Sequence, residues 1–482
     1  MSLLTFKGGV HPNDGKALAK DKAIVQVQPK GDLVYPMSQH IGAPAVPIVA
    51  KGDHVLRGQM IAEAGGFVSA PIYASVSGTV KVIEPRFTPA GSKVNSIVIE
   101  NDGEYEEVEY STPKAVSEMS KEEILNAIGD AGIVGMGGAG FPTKVKLSPK
   151  EPDKIDYIIA NCAECEPYIT ADYRQILEHG EELVEGMKII LRLFDNAKGL
   201  FGVEDNKPDC IEKLKELTKD EPRMEVLKLQ TKYPQGGERQ LIYATTGRAI
   251  NSSMLPADAG CVVDNVATIS AIYRAVAKGE PSMDRIVTVS GDAVHEPGNF
   301  KVPFGMNQAE LIEAAGGYKV DPEKIISGGP MMGFSMFTLE APVTKTSSSV
   351  LGFTKDATYS ITTDNPYATY VVYTAFEKVN TNRSSGETLT LSTDVTFNYY
   401  GNDVTLHIGD TYVEDNLKNI IRVYMEGSDV TSEVTITIKM TDETGEVVDT
   451  IDTTKLGTYK VEYLVQYKNA SKTFTKNITV LE

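Results

Sequence analysis

Gly135-Met136-Gly137-Gly138-Ala139-Gly140-Phe141-Pro142-Thr143-Lys144-Val145-Lys146 is the stretch that decides how this chain is read. Four glycines within six residues give a backbone without Cβ atoms, able to take positive φ and to bring peptide N–H groups close to a ligand. Successive N–H groups then form a concavity suited to an anion. Lys144 and Lys146 add point charge, and Phe141 offers a ring face to a planar heterocycle. The segment is expected to be a nucleotide or flavin loop; the alternative is a flexible glycine hinge.

Gly135, Gly137 and Gly140 fit the spacing G-x-G-x-x-G, which in dinucleotide folds follows a strand and opens a helix. Here the preceding residues 121–128 read as a helix, with Ile124, Leu125 and Ile128 on one face. Pro142 stands where a Rossmann helix would be starting. Downstream, the apolar run 154–161 reads as a buried parallel strand. It ends in Asn161-Cys162-Ala163-Glu164-Cys165-Glu166-Pro167-Tyr168. Ligands of open α/β sheets sit beyond the carboxyl ends of strands, so this loop is where site residues belong. Its carboxylates can accept hydrogen bonds from ribose hydroxyls. Cys162 and Cys165 form a single C-x-x-C without a second pair, where zinc and iron–sulfur sites want four ligands. They read as loop and packing residues.

Residues 198–204 read as another strand and 209–219 as a helix. In Tyr233-Pro234-Gln235-Gly236-Gly237-Glu238-Arg239, two glycines precede a helical pattern, and a helix N-terminus favours negative charge. Arg239 is either a solvated helix residue or a phosphate contact. Asp264-Asn265-Val266-Ala267-Thr268 supplies a helix N-cap, amide and hydroxyl partners for a ligand, or both.

With 482 residues the chain is long enough for about three or four domains. Hydrophobic residues at 41% and charged residues at 23% are ordinary for a globular protein. A net charge of −19 argues against a nucleic-acid partner, which requires a basic face, and against direct docking on anionic lipid. No signal peptide and no apolar run of membrane-spanning length is read, so no direct membrane insertion is expected. Four cysteines do not make a disulfide framework. The six histidines (11, 40, 54, 179, 295 and 407) lack metal-ligand spacing, and no metal site is expected.

Residues 1–112 read as short strands and turns. Their Val55-x-x-Gly58-Gln59 and Ala74-x-Val76-Ser77-Gly78-Thr79-Val80 pattern resembles biotinyl/lipoyl-type barrel-sandwich domains. The hairpin tip Gly65-Gly66-Phe67-Val68 has no lysine, so no such prosthetic group is expected there. The strand 285–291, the helix 309–315 and the turn Gly328-Gly329-Pro330 read as a β-grasp module. Beyond residue 356 the composition changes: residues 357–482 hold 24 threonines and no cysteine, with short alternating strands between polar turns.

Gly135–Lys146 resembles the flavin loop of the NADH-oxidising flavoprotein subunit of respiratory complex I. The wider pattern runs from Gly8-Gly9-Val10-His11-Pro12 through Gly328-Gly329-Pro330-Met331-Met332-Gly333 to about Asp356. It resembles the C subunit of the Rnf-type electron transport complex, a ferredoxin:NAD oxidoreductase, over roughly three quarters of the chain. The resemblance implies a multidomain α/β and β protein. Its parts are a barrel-sandwich hybrid (1–112), a Rossmann-like FMN/NADH domain (113–285) and a β-grasp, SLBB-like module (286–345). The rest is not covered by it: after a linker (346–360), residues 361–482 read as an Ig-like β-sandwich from their alternating strands, and at least 403–482 resemble the bacterial Ig-like repeats of cell-surface proteins.

The resemblance to the Rnf-type C subunit implies FMN and NAD(H) as cofactors. Gly135, Gly137, Gly138, Gly140, Phe141 and Lys146 would form the flavin loop. Asn161 and Glu164 fall at flavin-contacting positions and Glu166 near the NADH. Tyr233, Gly236 and Glu238 would close over the flavin, where the complex I relative has paired acidic residues and this chain has Gly237-Glu238. Asn265 and Thr268 complete the set. No protein side chain is expected to be catalytic, because the flavin carries the chemistry.

The implied function is that of an NADH-oxidising, FMN-binding peripheral subunit of an ion-translocating electron transport complex. NADH, the other membrane subunits and, indirectly, ferredoxin would be its partners. Such a protein is expected in the cytoplasm, on the inner face of the plasma membrane. The family also carries [4Fe–4S] centres, but the C-x2-C-x2-C-x3-C runs they need are absent here. A natural fusion or a chimeric gene would explain the Ig-like tail in their place. The competing expectation is a non-catalytic scaffold with a degenerate glycine loop.

Overall fold

A computed structural model describes residues 3–251, 253–354, 358–362, 370–373, 378–381, 387–390, 396–399, 403–413, 417–425, 428–429, 431–467 and 470–482. The chain divides into two compact units, Met1–Leu391 and Ser392–Glu482.

The first unit begins with two small sheets over a common core. One contains Leu33–Pro36, Lys93–Asn101, Gly78–Phe87 and His54–Val55; the other contains Val46–Pro47, Met60–Glu63 and Ile72–Tyr73. Leu33, Tyr35, Val80, Ile97 and Ile99 from the first meet Ile61 and Ile72 from the second. Leu33 and Tyr35, like Ile97 and Ile99, are two residues apart, the period that puts side chains on one face of a strand.

An α/β layer follows. Helix α1 (Lys121–Asp130) starts at a capping box. Ser120 Oγ accepts from the Glu123 amide at 3.1 Å, and Glu123 returns a carboxylate to the Ser120 amide at 2.8 Å. Ile124 and Ile128, one turn apart, are its buried face. The glycine loop joins α1 to the short helix α2 (Thr143–Lys146). Four strands follow, β1 (Tyr157–Cys162), β2 (Lys198–Glu204), β3 (Met224–Leu229) and β4 (Cys261–Asn265), all parallel and in the order β3-β2-β1-β4. Helices α3 (Ala171–Leu191), α4 (Pro208–Thr218), α5 (Glu238–Thr246) and α6 (Val266–Lys278) cover the sheet. Ile158 and Ala160 face the core shared with α3, α4 and α6, while Ile159 faces Leu241 and Ile242 of α5. Both faces are buried, so the strands read as continuous apolar runs.

A six-stranded mixed sheet completes the β-grasp part. Its strands are β5 (Asp284–Ser290), β6 (Gly298–Pro303), β7 (Lys324–Ser327), β8 (Phe334–Ser335) and β9 (Ser349–Phe353), with α7 (Gln308–Ala314) packed on it. The sixth strand is Ile24–Gln26, parallel to β6. The expected linker 346–360 is corrected here: β9 lies between β7 and β5 with all five residues buried. Past it, Ile361 and Thr362 pair with Pro12 and His11.

In the second unit the long hairpin Gly457–Tyr467 and Ala470–Leu481 pairs along its length and extends to Thr435–Thr441 and Val404–His407. Val461, Tyr463, Val465, Ile478 and Val480 form its core with Ile421 and Val423. This unit is β-rich. Much of the expected Ig-like span 361–482 before residue 403 lies outside the described residues. Among the described residues no helix is long and apolar enough to cross a membrane.

Candidate functional site at the sheet switch point

The strand order reverses between β1 and β4, where Asn161 and Asn265 are register neighbours at the carboxyl ends. In open α/β sheets ligands sit at such a switch point, outside the carboxyl ends of the strands. The glycine loop lies beside these strand ends, against Asn265 and Thr268. It is closed at its base by the Val134–Pro142 bridge and by the Gly135 amide donating to the Phe141 carbonyl at 2.9 Å. The Met136 amide donates to Thr268 Oγ1 of α6 at 2.9 Å. Gly137 lies so close to Asn265 that a Cβ there would stand 2.8 Å from the Asn265 Cβ.

Gly137, Gly138 and Ala139 are exposed, Gly138 faces open space, and among the described residues no protein acceptor takes their amides. This is a cradle of the kind an anionic group fills. Asn265 caps α6 by accepting from the Ala267 amide at 2.9 Å, so the positive end of a 13-residue helix adjoins the loop.

Of the four loop glycines only Gly140 takes positive φ, at 74°. A Cβ on it would meet Thr346 Cγ2 at 2.9 Å and the Gln39 carbonyl at 3.1 Å. Gly140→Ala is expected to cost about 1–2 kcal/mol through the left-handed backbone alone, read as a lowered denaturation midpoint of the FMN-free chain. Gly138→Ala meets neither obstacle and should leave the midpoint unchanged; equal effects of the two would contradict the loop geometry.

The strand-end loop is tied to the 233–237 segment. Asn161 Nδ2 donates to the Gly236 carbonyl at 2.8 Å, and the Gly236 amide donates to Cys165 Sγ at 3.3 Å. Cys162 is fully buried at the end of β1, and burial pushes both thiols up. All four cysteines are free, and no group of metal-ligating side chains is found among the described residues.

Glu164 takes a left-handed φ of 45° and turns its carboxylate to the start of α3, accepting from the Asp172 amide at 2.7 Å. Burial pushes its carboxyl up, while Lys16 at 3.7 Å and Lys207 oppose the shift. Asp172, bonded by Asn265 Nδ2 at 2.6 Å, is pushed up to about 7 by burial and by Glu164. Glu166 is also pushed up to about 7, by burial. One of its oxygens accepts from the Met331 amide at 3.1 Å, and the other is buried without a hydrogen-bond partner. Glu166 thus points toward the β-grasp turn.

Lys146 turns from the glycine tip toward carboxylates. Its Nζ donates to the Val263 carbonyl at 2.6 Å and lies 3.5 Å from Asp264 and 3.7 Å from Glu238. Glu238, the first residue of α5, is 44% exposed and open to a ligand. Phe141 is half-buried. Tyr233 is paired through its backbone with Val10, at 2.7 and 2.9 Å, so the Gly8–Pro12 motif backs this part of the site.

Sequence reasoning missed Asp172, Lys16, Lys207 and Glu204, which form a buried charged group behind the strand-end loop. Lys207 Nζ donates to the Ala163 carbonyl at 2.5 Å and to Glu204 at 3.2 Å; Lys16 Nζ donates to the Glu166 carbonyl at 3.0 Å. None sits in a motif, so the pattern of residue types offers no signal for them.

Residues 4–104 match the RnfC barrel sandwich hybrid domain, 128–274 the Nuo51 FMN-binding domain, and 286–335 the SLBB domain. Among similar proteins is the C subunit of the proton-translocating ferredoxin:NAD(+) oxidoreductase complex of Clostridium ljungdahlii. It is 48% identical over 356 residues, 73% of this chain and 78% of the relative. The Na(+)-translocating counterpart of Acetobacterium woodii is 43% identical over 75% of this chain and 82% of its own. The C subunit of the ion-translocating oxidoreductase complex of Vibrio cholerae is 37% identical over 73% of this chain and 46% of its own. Among solved structures, an NAD+-reducing [NiFe]-hydrogenase in the H2-reduced state aligns with a TM-score of 0.42 at 23% identity, over 50% of this chain and 48% of that one. The chain belongs to the C-subunit family of the Rnf-type ferredoxin:NAD(+) oxidoreductase complexes.

Proposed function

We propose that this chain is the NADH-oxidising, FMN-holding peripheral subunit of an ion-translocating Rnf-type complex, exchanging electrons with ferredoxin through centres on partner subunits. The observation that carries the reading is the glycine loop laid beside the switch point, with its exposed amides beside the N-terminus of α6. FMN held there would supply hydride-transfer and electron-transfer chemistry.

The residues of the chain bind and orient. The amides of 137–139 and the α6 N-terminus hold the phosphate. Phe141 offers its ring face to the flavin, and Asn161 fixes the 233–237 segment against the strand-end loop. Glu164 and Asp172 are buried carboxyls, and Glu238 at the rim accepts hydrogen bonds from the incoming nucleotide. Residues 357–482 carry no cysteine to ligate a cluster, and the proposal gives electron exchange to centres on partner subunits. We further assign the tail to an Ig-like sandwich, on its alternating strands, and place the protein on the inner face of the plasma membrane.

The test is reconstitution. The purified chain, incubated with FMN and desalted, is expected to keep flavin absorption and to oxidise NADH with ferricyanide. A colourless, inactive product would sink the proposal.

A further inference from the structure

The sequence assigns the β-grasp module no chemistry, yet it touches both loops of the site. Arg285, the second residue of β5, is 5% exposed. Its Nη2 donates to the Met136 carbonyl at 3.1 Å and its Nη1 to the Lys345 carbonyl at 2.6 Å. Thr268 holds the amide of the same Met136. Both sides of that residue are therefore fixed, and the exposed tip 137–139 hangs from it. Burial lowers the guanidinium to about 10, with Asp172 opposing, and its Nε is buried without a hydrogen-bond partner. Holding such a group inside is costly, which suits a residue kept for its geometry.

At the far end of the module, Gly329 lies against Glu166. A Cβ on Gly329 would stand 1.8 Å from Glu166 Oε2 and 2.4 Å from Cδ. Gly329 is outside the left-handed region, so an alanine there brings no backbone strain and displaces only the flexible carboxylate. The Met331 amide completes the seat.

We propose that the β-grasp module is a working wall of the nucleotide site. Arg285 positions the glycine loop through the Met136 carbonyl, and the Gly329 turn positions the Glu166 carboxylate of the strand-end loop. What the two loops hold rests on the FMN/NADH reading; the two clamps do not. They act on different loops, so their loss separates two affinities that general loosening would weaken together.

The variants are Arg285→Lys, which keeps the charge but loses the fork that spans two carbonyls, and Gly329→Ala. FMN affinity is read by flavin fluorescence titration, and NADH affinity on the FMN-loaded chain. Arg285→Lys is expected to weaken FMN about tenfold, the loss of one charged hydrogen bond, and to leave NADH affinity in place. Gly329→Ala is expected to do the reverse. Hydrogen exchange of the FMN-free chain gives an independent readout: faster at 135–141 in the first variant only, and at 163–168 in the second only. Should Arg285→Lys fail to fold, Arg285→Gln takes its place.

Crossed effects in exchange support the proposal, and loosening of both segments, or of neither, overturns it. If the wild-type chain takes up no FMN, the functional reading falls while the exchange pattern still decides this inference.

Discussion

Gly186→Ala is expected to lower the unfolding free energy by about 3 kcal/mol, the upper part of the range for forcing atoms into a packed core. In a solvent-facing helix the same change would gain roughly 1 kcal/mol, because alanine is the better helix former. The sign therefore reports the packing. Gly186 sits where α3 crosses α6, and a Cβ there would lie 2.2 Å from the Ile269 carbonyl oxygen and 2.8 Å from its Cγ2. A backbone carbonyl cannot swing aside as a side chain can, so the helices must separate. That separation carries α6 with it, and the first turn of α6 holds Asn265 and Thr268 against the glycine loop. The denaturation midpoint should fall, and FMN binding should weaken with it. An unchanged or raised midpoint would show that the two helices are not in backbone contact.

Local signals are legible in the sequence and nonlocal ones are not. The strand Lys198–Glu204 is found at its expected bounds, the helix before the glycine loop is α1, and Asn265 is the N-cap that its residue type suggests. Each depends on neighbours within a few residues, which is the reach of propensity and capping. The β-grasp sheet shows the limit. Ile24–Gln26 is too short to announce a partner more than 270 residues away, and the run Ser349–Phe353 reads as linker although all five residues are buried. Only pairing across the sheet gives either segment its place.

The candidate site divides in the same way. Asn161 and Gly236, like Asn265, Thr268 and the glycine loop, are adjacent, because strand ends and helix starts converge at a switch point. Lys146 shows what the pattern leaves out. A lysine beside glycines suggests an anion contact, but its tertiary neighbours are Asp264 and Glu238. Lys16 and Lys207 look like surface charge in polar stretches. Their burial depends on carbonyls that fold over them from the strand-end loop, 150 and 44 positions away in sequence.

Replacing Glu166 with glutamine is expected to stabilise the FMN-free chain at pH 8 and to leave it unchanged near pH 4. The carboxyl has an ordinary value of 4.5 and is raised to about 7 in the folded chain, through burial against the weaker opposing pull of the Met331 amide and Lys16. The folded state therefore holds this proton more tightly than the unfolded one. The stability that comes with it is complete below about 4.5 and is lost as pH rises through about 7. The loss amounts to at most about 3 kcal/mol. Glutamine cannot ionise, and its side-chain oxygen can still accept from the Met331 amide, so the variant escapes the loss. Asp172, also raised to about 7, follows the same trend in both proteins and cancels in their difference. Urea titrations from pH 4 to pH 8 should show the variant's advantage growing across that window. A difference that stays flat would mean that Glu166 keeps its ordinary value in the folded chain, with its carboxylate reaching water. The seat formed by Gly329 and Met331 would then be open in solution, and the carboxylate would be free to meet a nucleotide without first leaving the β-grasp turn.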